Sequence, residues 1–73
     1  MTIGKAIRKA RRDREYSIKR LSEEAGVAYV TLLNWEHERV FPNLIPLIDV
    51  ADVLNISLDE LIGRERKGAD DEN

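Results

Sequence analysis

The chain has 73 residues, of which 42% are hydrophobic and 36% charged, and its formal net charge at pH 7 is −2. This composition suits one small compact domain rather than a disordered chain, and the absence of cysteine excludes disulfide bridges and thiolate metal sites. No apolar run approaches the ~20 residues of a membrane helix or forms the core of a secretory signal, so we expect a cytoplasmic protein.

The first predicted helix is amphipathic and basic. Ile3, Ile7 and Ala10 repeat every three or four residues, with lysines and arginines between them. Residues 1–40 hold nine Lys and Arg against six Asp and Glu, whereas residues 41–73 hold three against eight. An acidic protein can therefore present a basic face. On charge alone, however, a solvated helix face of mixed charge is the preferred interpretation.

A second helix and a sharp turn follow. Ser17 is a good N-cap, and Leu21 and Ala25 lie four residues apart on one side of the predicted helix. Gly26 can adopt the left-handed conformation that ends a helix and redirects the chain. We expect the neighbouring helices to pack closely at this turn, which would explain the small residues Ser22 and Gly26.

The third predicted helix covers about residues 28–37 and has two apolar faces. Its start is weakly marked, because alanine at position 28 cannot cap as serine would. At roughly 100° per residue, one side carries Ala28, Thr31, Leu32 and Trp35. The other side carries Val30, Leu33, Asn34 and His37, with Tyr29 at its margin. The first side can face the core, so the second requires an explanation.

Two further helices complete an all-α pattern. Residues 37–43 are predicted to form a loop, in which Pro42 excludes helix at the preceding residue, and Asn43 can cap a fourth helix. The predicted core stripe of the fourth helix is Leu44, Leu47, Ala51 and Leu54, widened by Ile48 and Val50. Ser57 and Glu60 form a capping box for a short fifth helix, which Gly63 ends.

Without any strand signal, the sequence predicts a compact five-helix domain over residues 1–63 and a charged, mobile tail over residues 64–73.

The second and third helices, joined by a glycine-containing turn, have the spacing of a helix-turn-helix, whose second helix can enter the DNA major groove. The chain resembles the Xre/Cro/lambda-repressor-like family over residues 3–63. The matching positions are Ile3-Gly4, Ile7-Arg8, Arg11, Leu21, Gly26-Val27, Leu32, Trp35-Glu36, Pro42, Leu47, Ala51, Leu54, the run Ile56 to Leu61, and Gly63. This resemblance implies a lambda-repressor-like fold.

The resemblance also implies which residues contact DNA. The family reads bases from the start and outer face of the third helix, here Tyr29, Val30, Leu33 and Asn34. It contacts phosphates at the start of the second helix, here Ser17 and Ile18, and in the loop from His37 to Asn43. Charge adds Arg8, Lys9, Arg12, Lys19 and Arg39 as candidates for phosphate attraction. An Arg–Glu ion pair that is common in the family falls on Arg11 and Glu36.

The chain departs from the family where Glu38 replaces a common glycine and where apolar Val30 and Leu33 replace polar or basic residues. Val30 and Leu33 cannot hydrogen-bond a base, but they can pack on thymine methyl groups, and Asn34 can pair with adenine. This face therefore favours an A·T-leaning site. An alternative is a protein-interaction module that uses the same apolar face.

The expected function is that of a transcriptional regulator, a repressor, that binds operator DNA. A single module of this size favours a homodimer on two half-sites about 34 Å apart. No nucleophile–base set or glycine-rich phosphate loop is visible, so we expect no enzyme activity and no small-molecule ligand or cofactor. His37 lies beside Glu36 and Glu38, but adjacent residues do not converge on one metal ion.

Overall fold

The computed structural model describes residues 2–62, and all of their regular structure is helical. The helices are α1 (Ile3–Asp13), α2 (Ile18–Ala25), α3 (Tyr29–Glu36), α4 (Leu44–Leu54) and α5 (Leu58–Ile62). The predicted all-α architecture of five helices is therefore confirmed. None of these helices has the length and apolarity that a bilayer span requires within the described residues. Gly63 and the predicted tail at 64–73 lie outside them.

One core joins all five helices. α1 packs against α3 and α5, α2 packs against α3 and α4, and α4 packs against α5. Every helix contributes at least one fully buried apolar side chain: the set is Ile7, Leu21, Leu32, Val50, Leu54 and Leu61. The predicted core stripes of α1 and α2 are confirmed: Ile7 and Ala10 of α1 and Leu21 of α2 are buried, and Ile3 and Ala25 pack against them.

Local chemistry sets the ends of α1 and α2. The Thr2 hydroxyl accepts a hydrogen bond from the Lys5 backbone N–H at 3.2 Å, and the Ser17 hydroxyl accepts one from the Arg20 N–H at 3.0 Å. Each satisfies a donor that the first turn of a helix leaves free. The predicted cap at Ser17 is confirmed.

Gly4 fixes how closely α1 approaches the end of α3. A Cβ atom at position 4 would lie 2.4 Å from the backbone oxygen of Trp35 and 2.9 Å from the Glu38 side chain. No larger residue fits without moving one helix. Glu38 also accepts a hydrogen bond from the Thr2 hydroxyl, so the first turn of α1 and the chain after α3 are joined at two points.

The predicted core face of α4 is wrong at two positions. Leu47, Val50, Ala51 and Leu54 are buried, but Leu44 and Ile48 are exposed. Leu44 shares the periodicity of the stripe, yet it lies in the first turn of α4, where no described helix covers it. Asn43 occupies the N-cap position as predicted, but its side chain makes no capping hydrogen bond.

Candidate nucleic-acid interface

α2 and α3 form a compact helix-turn-helix. Gly26 ends α2 in the left-handed conformation, with φ of +72°, and its N–H donates to the Ser22 oxygen at 2.9 Å. The Val27 N–H also donates to this oxygen at 3.2 Å, and the Val27 side chain is buried. These two hydrogen bonds to one carbonyl oxygen close the end of α2. The next helix, α3, begins three residues after Gly26.

The expected reason for glycine at position 26 was partly wrong. A Cβ atom built there has no neighbour within 4 Å. Close packing therefore does not require glycine at this site, and only the positive φ does. The predicted left-handed turn itself is confirmed. The close approach of helices lies instead at Gly4, between α1 and α3.

The outer face of α3 is open at its N-terminal end. Tyr29 is 49% exposed and Val30 is 63% exposed, whereas Leu33 and Asn34 are half-buried. Ala28 was predicted on the core side, but it is exposed, because it precedes the first turn as the N-cap residue and does not follow the helical periodicity. As expected for alanine, it makes no side-chain capping bond.

Asn34 is held by a neighbour in the chain that follows α3. Arg39 donates from Nη1 to Asn34 Oδ1 at 3.3 Å. An asparagine that reads adenine needs both its oxygen as an acceptor and its amide as a donor. Arg39 uses one of the two lone pairs of this oxygen, so the other lone pair and the amide group remain for a base.

The N-terminal end of α2, at the opposite end of this helix from the turn, presents two backbone donors. The N–H groups of Ile18 and Lys19 belong to the first turn of the helix and have no acceptor within it. The Ile18 side chain packs against the core, so only its backbone N–H can serve a phosphate. Lys19 is exposed, which adds a mobile positive charge to this anion-binding helix end.

The other predicted phosphate residues differ in how free they are. Arg12, His37 and Asn43 are exposed. Arg8 is half-buried and its Nε atom lies 3.5 Å from Glu36 Oε1, which partly neutralises its charge. Lys9 pairs with Asp13 at 2.9 Å on the surface of α1.

Arg11 and Glu36 connect α1 to the end of α3. Arg11 donates from Nε to Glu36 Oε2 at 2.7 Å and from Nη2 to Oε1 at 3.0 Å, while Nη1 donates to the Tyr16 carbonyl at 2.9 Å. The hydrogen bond to Glu36 raises the pKa of Arg11 despite partial burial. Because Glu36 is the last residue of α3, this pair holds the angle of that helix against α1.

A polar cluster of Tyr16, Arg20 and Glu24 at the start of α2 was not predicted. The Tyr16 hydroxyl donates to Glu24 at 2.7 Å, Arg20 donates to the same carboxylate at 2.9 Å, and the Arg20 guanidinium lies 4.0 Å from the centre of the Tyr16 ring. Both bonds lower the pKa of Glu24, and the bond to Glu24 raises the pKa of Tyr16. The i, i+4 spacing of Arg20 and Glu24 was a visible signal.

Glu38 has the left-handed backbone conformation that explains why a glycine is favoured at its position, since its φ is +61°. Its carboxylate accepts the hydrogen bond from the Thr2 hydroxyl. Among residues 2–62, no three His, Cys, Asp or Glu side chains group closely enough to hold a metal ion.

Comparisons with known proteins agree with this geometry. The model of a family described as helix-turn-helix matches residues 7–61. The chain is 28% identical over 65 residues to the HTH-type transcriptional regulator ImmR of Bacillus subtilis strain 168, which covers 89% of this chain and 51% of that protein. It is 32% identical over 65 residues to the immunity repressor protein of Bacillus phage phi105, which covers 89% of this chain and 45% of that protein. The chain thus spans about half the length of these curated relatives.

A solved structure shares the whole arrangement of helices. The P22 c2 repressor protein, crystallised in complex with a synthetic operator, superimposes with a TM-score of 0.82 at 26% identity. The match covers 89% of this chain and 98% of the P22 chain. The expected lambda-repressor-like fold is thereby confirmed.

Proposed function

Because the chain belongs to the helix-turn-helix family, we propose that it is a transcriptional repressor that binds double-stranded operator DNA by placing α3 in the major groove. The observation that carries this proposal is the open N-terminal end of α3 in a fold shared with an operator-bound repressor. Recognition helices contact base edges mainly through their N-terminal residues. We expect the protein to bind this DNA in the cytoplasm.

Val30 is the central base-reading residue of this proposal. It is the most exposed side chain on α3 among the large apolar residues, and the major groove offers an apolar partner in the thymine methyl group. Tyr29, next to it, can donate from its hydroxyl to a base or a phosphate. Leu33 and Asn34 are half-buried, so they contact bases only at the edge of the interface, and Arg39 holds the Asn34 amide there.

Phosphate contacts hold α3 in the groove. The N–H groups at the start of α2, the Ser17 hydroxyl and the Lys19 ammonium lie at one end of the helix-turn-helix, and Arg12, His37 and Arg39 add further donors around it. Each phosphate neutralised by a cation releases counterions, so binding weakens as salt rises. Lys19→Ala should weaken binding to all sequences equally and reduce the salt slope by about one.

The first experiment is selection of bound sequences from a random duplex pool, followed by polarisation measurements on the enriched duplex. We expect A·T-rich half-sites. Replacing their thymines with uracil removes only the C5 methyl groups, and each methyl in contact should cost about fourfold in affinity. The Val30→Ala variant should lose part of this difference between thymine and uracil.

Val40→Ala is the matched control, because Val40 is a similarly exposed valine outside α3. It should keep the full ratio between the two duplexes whatever its absolute affinity. Enrichment of G·C-only sites would contradict the A·T preference. Failure to bind any duplex, even at low salt, would contradict DNA binding and favour a protein-interaction module.

A further inference from the structure

The chain reverses direction directly after α3 in a turn that brings Arg39 back onto this helix. The Glu38 N–H donates to the Trp35 carbonyl at 3.0 Å. The Arg39 N–H donates to the carbonyl of Asn34, the third residue from the end of α3, at 2.9 Å. With Glu38 in the left-handed conformation, at φ of +61°, these two bonds form a Schellman motif. The backbone therefore places Arg39 beside Asn34.

Contacts with α1 fix the position of this turn. The Glu38 carboxylate accepts a hydrogen bond from the Thr2 hydroxyl, in front of the first turn of α1. The Glu38 side chain also approaches Gly4, where an added Cβ atom would lie 2.9 Å from its Cγ. The left-handed residue of the motif is thus attached to a second helix. Arg39, the next residue, starts from a backbone that both α1 and α3 hold.

The side chains of Arg39 and Asn34 are also in contact. Arg39 Nη1 donates to Asn34 Oδ1 at 3.3 Å. A Schellman motif often carries an apolar contact between these two positions, and in this chain a polar contact takes its place. A guanidinium has N–H donors and no acceptor, so only the oxygen of an amide can face it. The Nδ2 group of Asn34 is therefore directed away from Arg39.

We propose that Arg39 is a positioning residue that sets the base specificity of Asn34, an inference that rests on the proposed DNA-binding function. In the major groove adenine presents the acceptor N7 and the donor N6–H, whereas guanine presents the acceptors N7 and O6. With its oxygen held, Asn34 offers adenine Nδ2–H as the donor and the remaining lone pair of Oδ1 as the acceptor. Guanine O6 meets that same oxygen, and two acceptors repel each other.

The restraint on the amide is what separates the two purines. An unrestrained asparagine can turn its oxygen away and direct its amide N–H groups towards guanine. Arg39 is exposed, and its other N–H donors remain available to a phosphate. Loss of a phosphate contact weakens binding to all sequences about equally, whereas loss of the restraint changes the ratio of affinities for two duplexes. That ratio distinguishes the positioning role from simple charge attraction.

Polarisation measurements on duplexes from the selection test the proposal. Each adenine of the half-site is replaced by guanine in turn, with its pairing base. The base pair at which Asn34→Ala no longer distinguishes the two purines is the one that Asn34 reads. There the wild type should prefer adenine by about tenfold, and Arg39→Met should reduce that preference at least about fivefold. Arg39→Lys, which keeps a charged group with donors only, should retain most of it.

Arg12→Met is the matched control, because Arg12 is another exposed arginine of the predicted phosphate set. It should weaken binding to both duplexes equally and leave their ratio unchanged. In the Asn34→Ala background, Arg39→Met should not change the ratio at this base pair, since Arg39 acts through Asn34. A wild-type ratio in Arg39→Met would overturn the proposal. So would an Asn34→Ala variant that keeps the adenine preference at every base pair.

A measurement on the free protein tests the restraint without DNA. The NMR order parameter of the Asn34 side-chain amide should be high in the wild type and in Arg39→Lys, and should fall below about 0.6 in Arg39→Met. Both backbone bonds of the turn remain in Arg39→Met, so we expect it to fold, and thermal unfolding checks this. Equal mobility in the wild type and Arg39→Met would overturn the inference.

The two proposals fail in different ways. A wild type that binds no duplex, even at low salt, contradicts the proposed function and this inference together. A wild type that binds the selected duplex while Arg39→Met keeps its full preference for adenine contradicts this inference alone.

Discussion

Replacing Arg11 with methionine removes one partner of the ion pair that joins α1 to the end of α3. The Glu36 side chain is 1% exposed and its carboxylate accepts two hydrogen bonds from Arg11. After the substitution, its nearest remaining cation is Arg8, at 3.5 Å. A buried carboxylate that has lost its bidentate partner typically costs about 3–5 kcal/mol of folding free energy.

That loss is large compared with the stability of so small a domain. The 61 described residues, at about 0.05–0.15 kcal/mol each, correspond to roughly 3–9 kcal/mol in total. At 4–8 °C per kcal/mol, Tm should fall by at least about 12 °C. If the wild-type stability is about 3 kcal/mol, at the low end of the range, the variant should be unfolded at 25 °C. Urea unfolding, followed by circular dichroism and by fluorescence of the buried Trp35, measures the change.

Arg8→Met provides the matched control, because Arg8 lies on the same helix and contacts the same carboxylate. Its side chain is 39% exposed and its contact is longer, so the loss should be at most about 1 kcal/mol. The double variant Arg11→Met, Glu36→Leu removes both charges and should recover most of the loss. If Arg11→Met costs no more than Arg8→Met, the pair does not hold the two helices together.

Two glycine substitutions and one titration test other parts of the fold. Gly4→Ala should destabilise the domain by about 1–3 kcal/mol in urea, because its Cβ would overlap the Trp35 carbonyl; an unchanged midpoint would contradict this packing. Gly26→Ala should cost only about 1–2 kcal/mol, from the positive φ alone, and Gly26→Asn should cost less. The Tyr16 ring, followed by NMR, should ionise above its ordinary pKa of 10.0 because its hydroxyl donates to Glu24. Since the folded-state pKa of Tyr16 is raised, this bond stabilises the fold below pH 10, and its contribution is lost as pH rises through the raised value. Glu24→Gln should lower the pH at which Tyr16 is half ionised, and an unchanged titration would contradict the bond.

Much of the fold could be predicted from neighbours in the sequence. Ser17 caps a helix through a bond to a residue three positions later, and Gly26 ends a helix through its own φ angle. Both effects are local, so residue type and spacing suffice to predict them. The capping box is also local: Ser57 and Glu60 bond each other's backbone N–H groups, at 3.2 and 3.0 Å.

The candidate site was only partly predictable. The helical period separated Val30 from Leu32 correctly, but it could not show that Leu33 is half-buried or that Asn34 is engaged by Arg39. Those outcomes depend on how the loop after α3 folds back. The partner of Arg11 came from a family resemblance, since periodicity alone cannot pair residues 25 positions apart.

The five helices, the caps at Ser17 and Ser57 and the turn after α2 could be predicted from residue types and spacing, because they depend on bonds between residues within about four positions. Which apolar residues the core covers depended instead on how the helices pack. Leu44 and Leu47 share one helical stripe, yet Leu47 is buried and Leu44 is exposed. The period of a helix gives the direction in which a side chain points, whereas burial requires another helix in that direction. No described helix covers Leu44 in the first turn of α4.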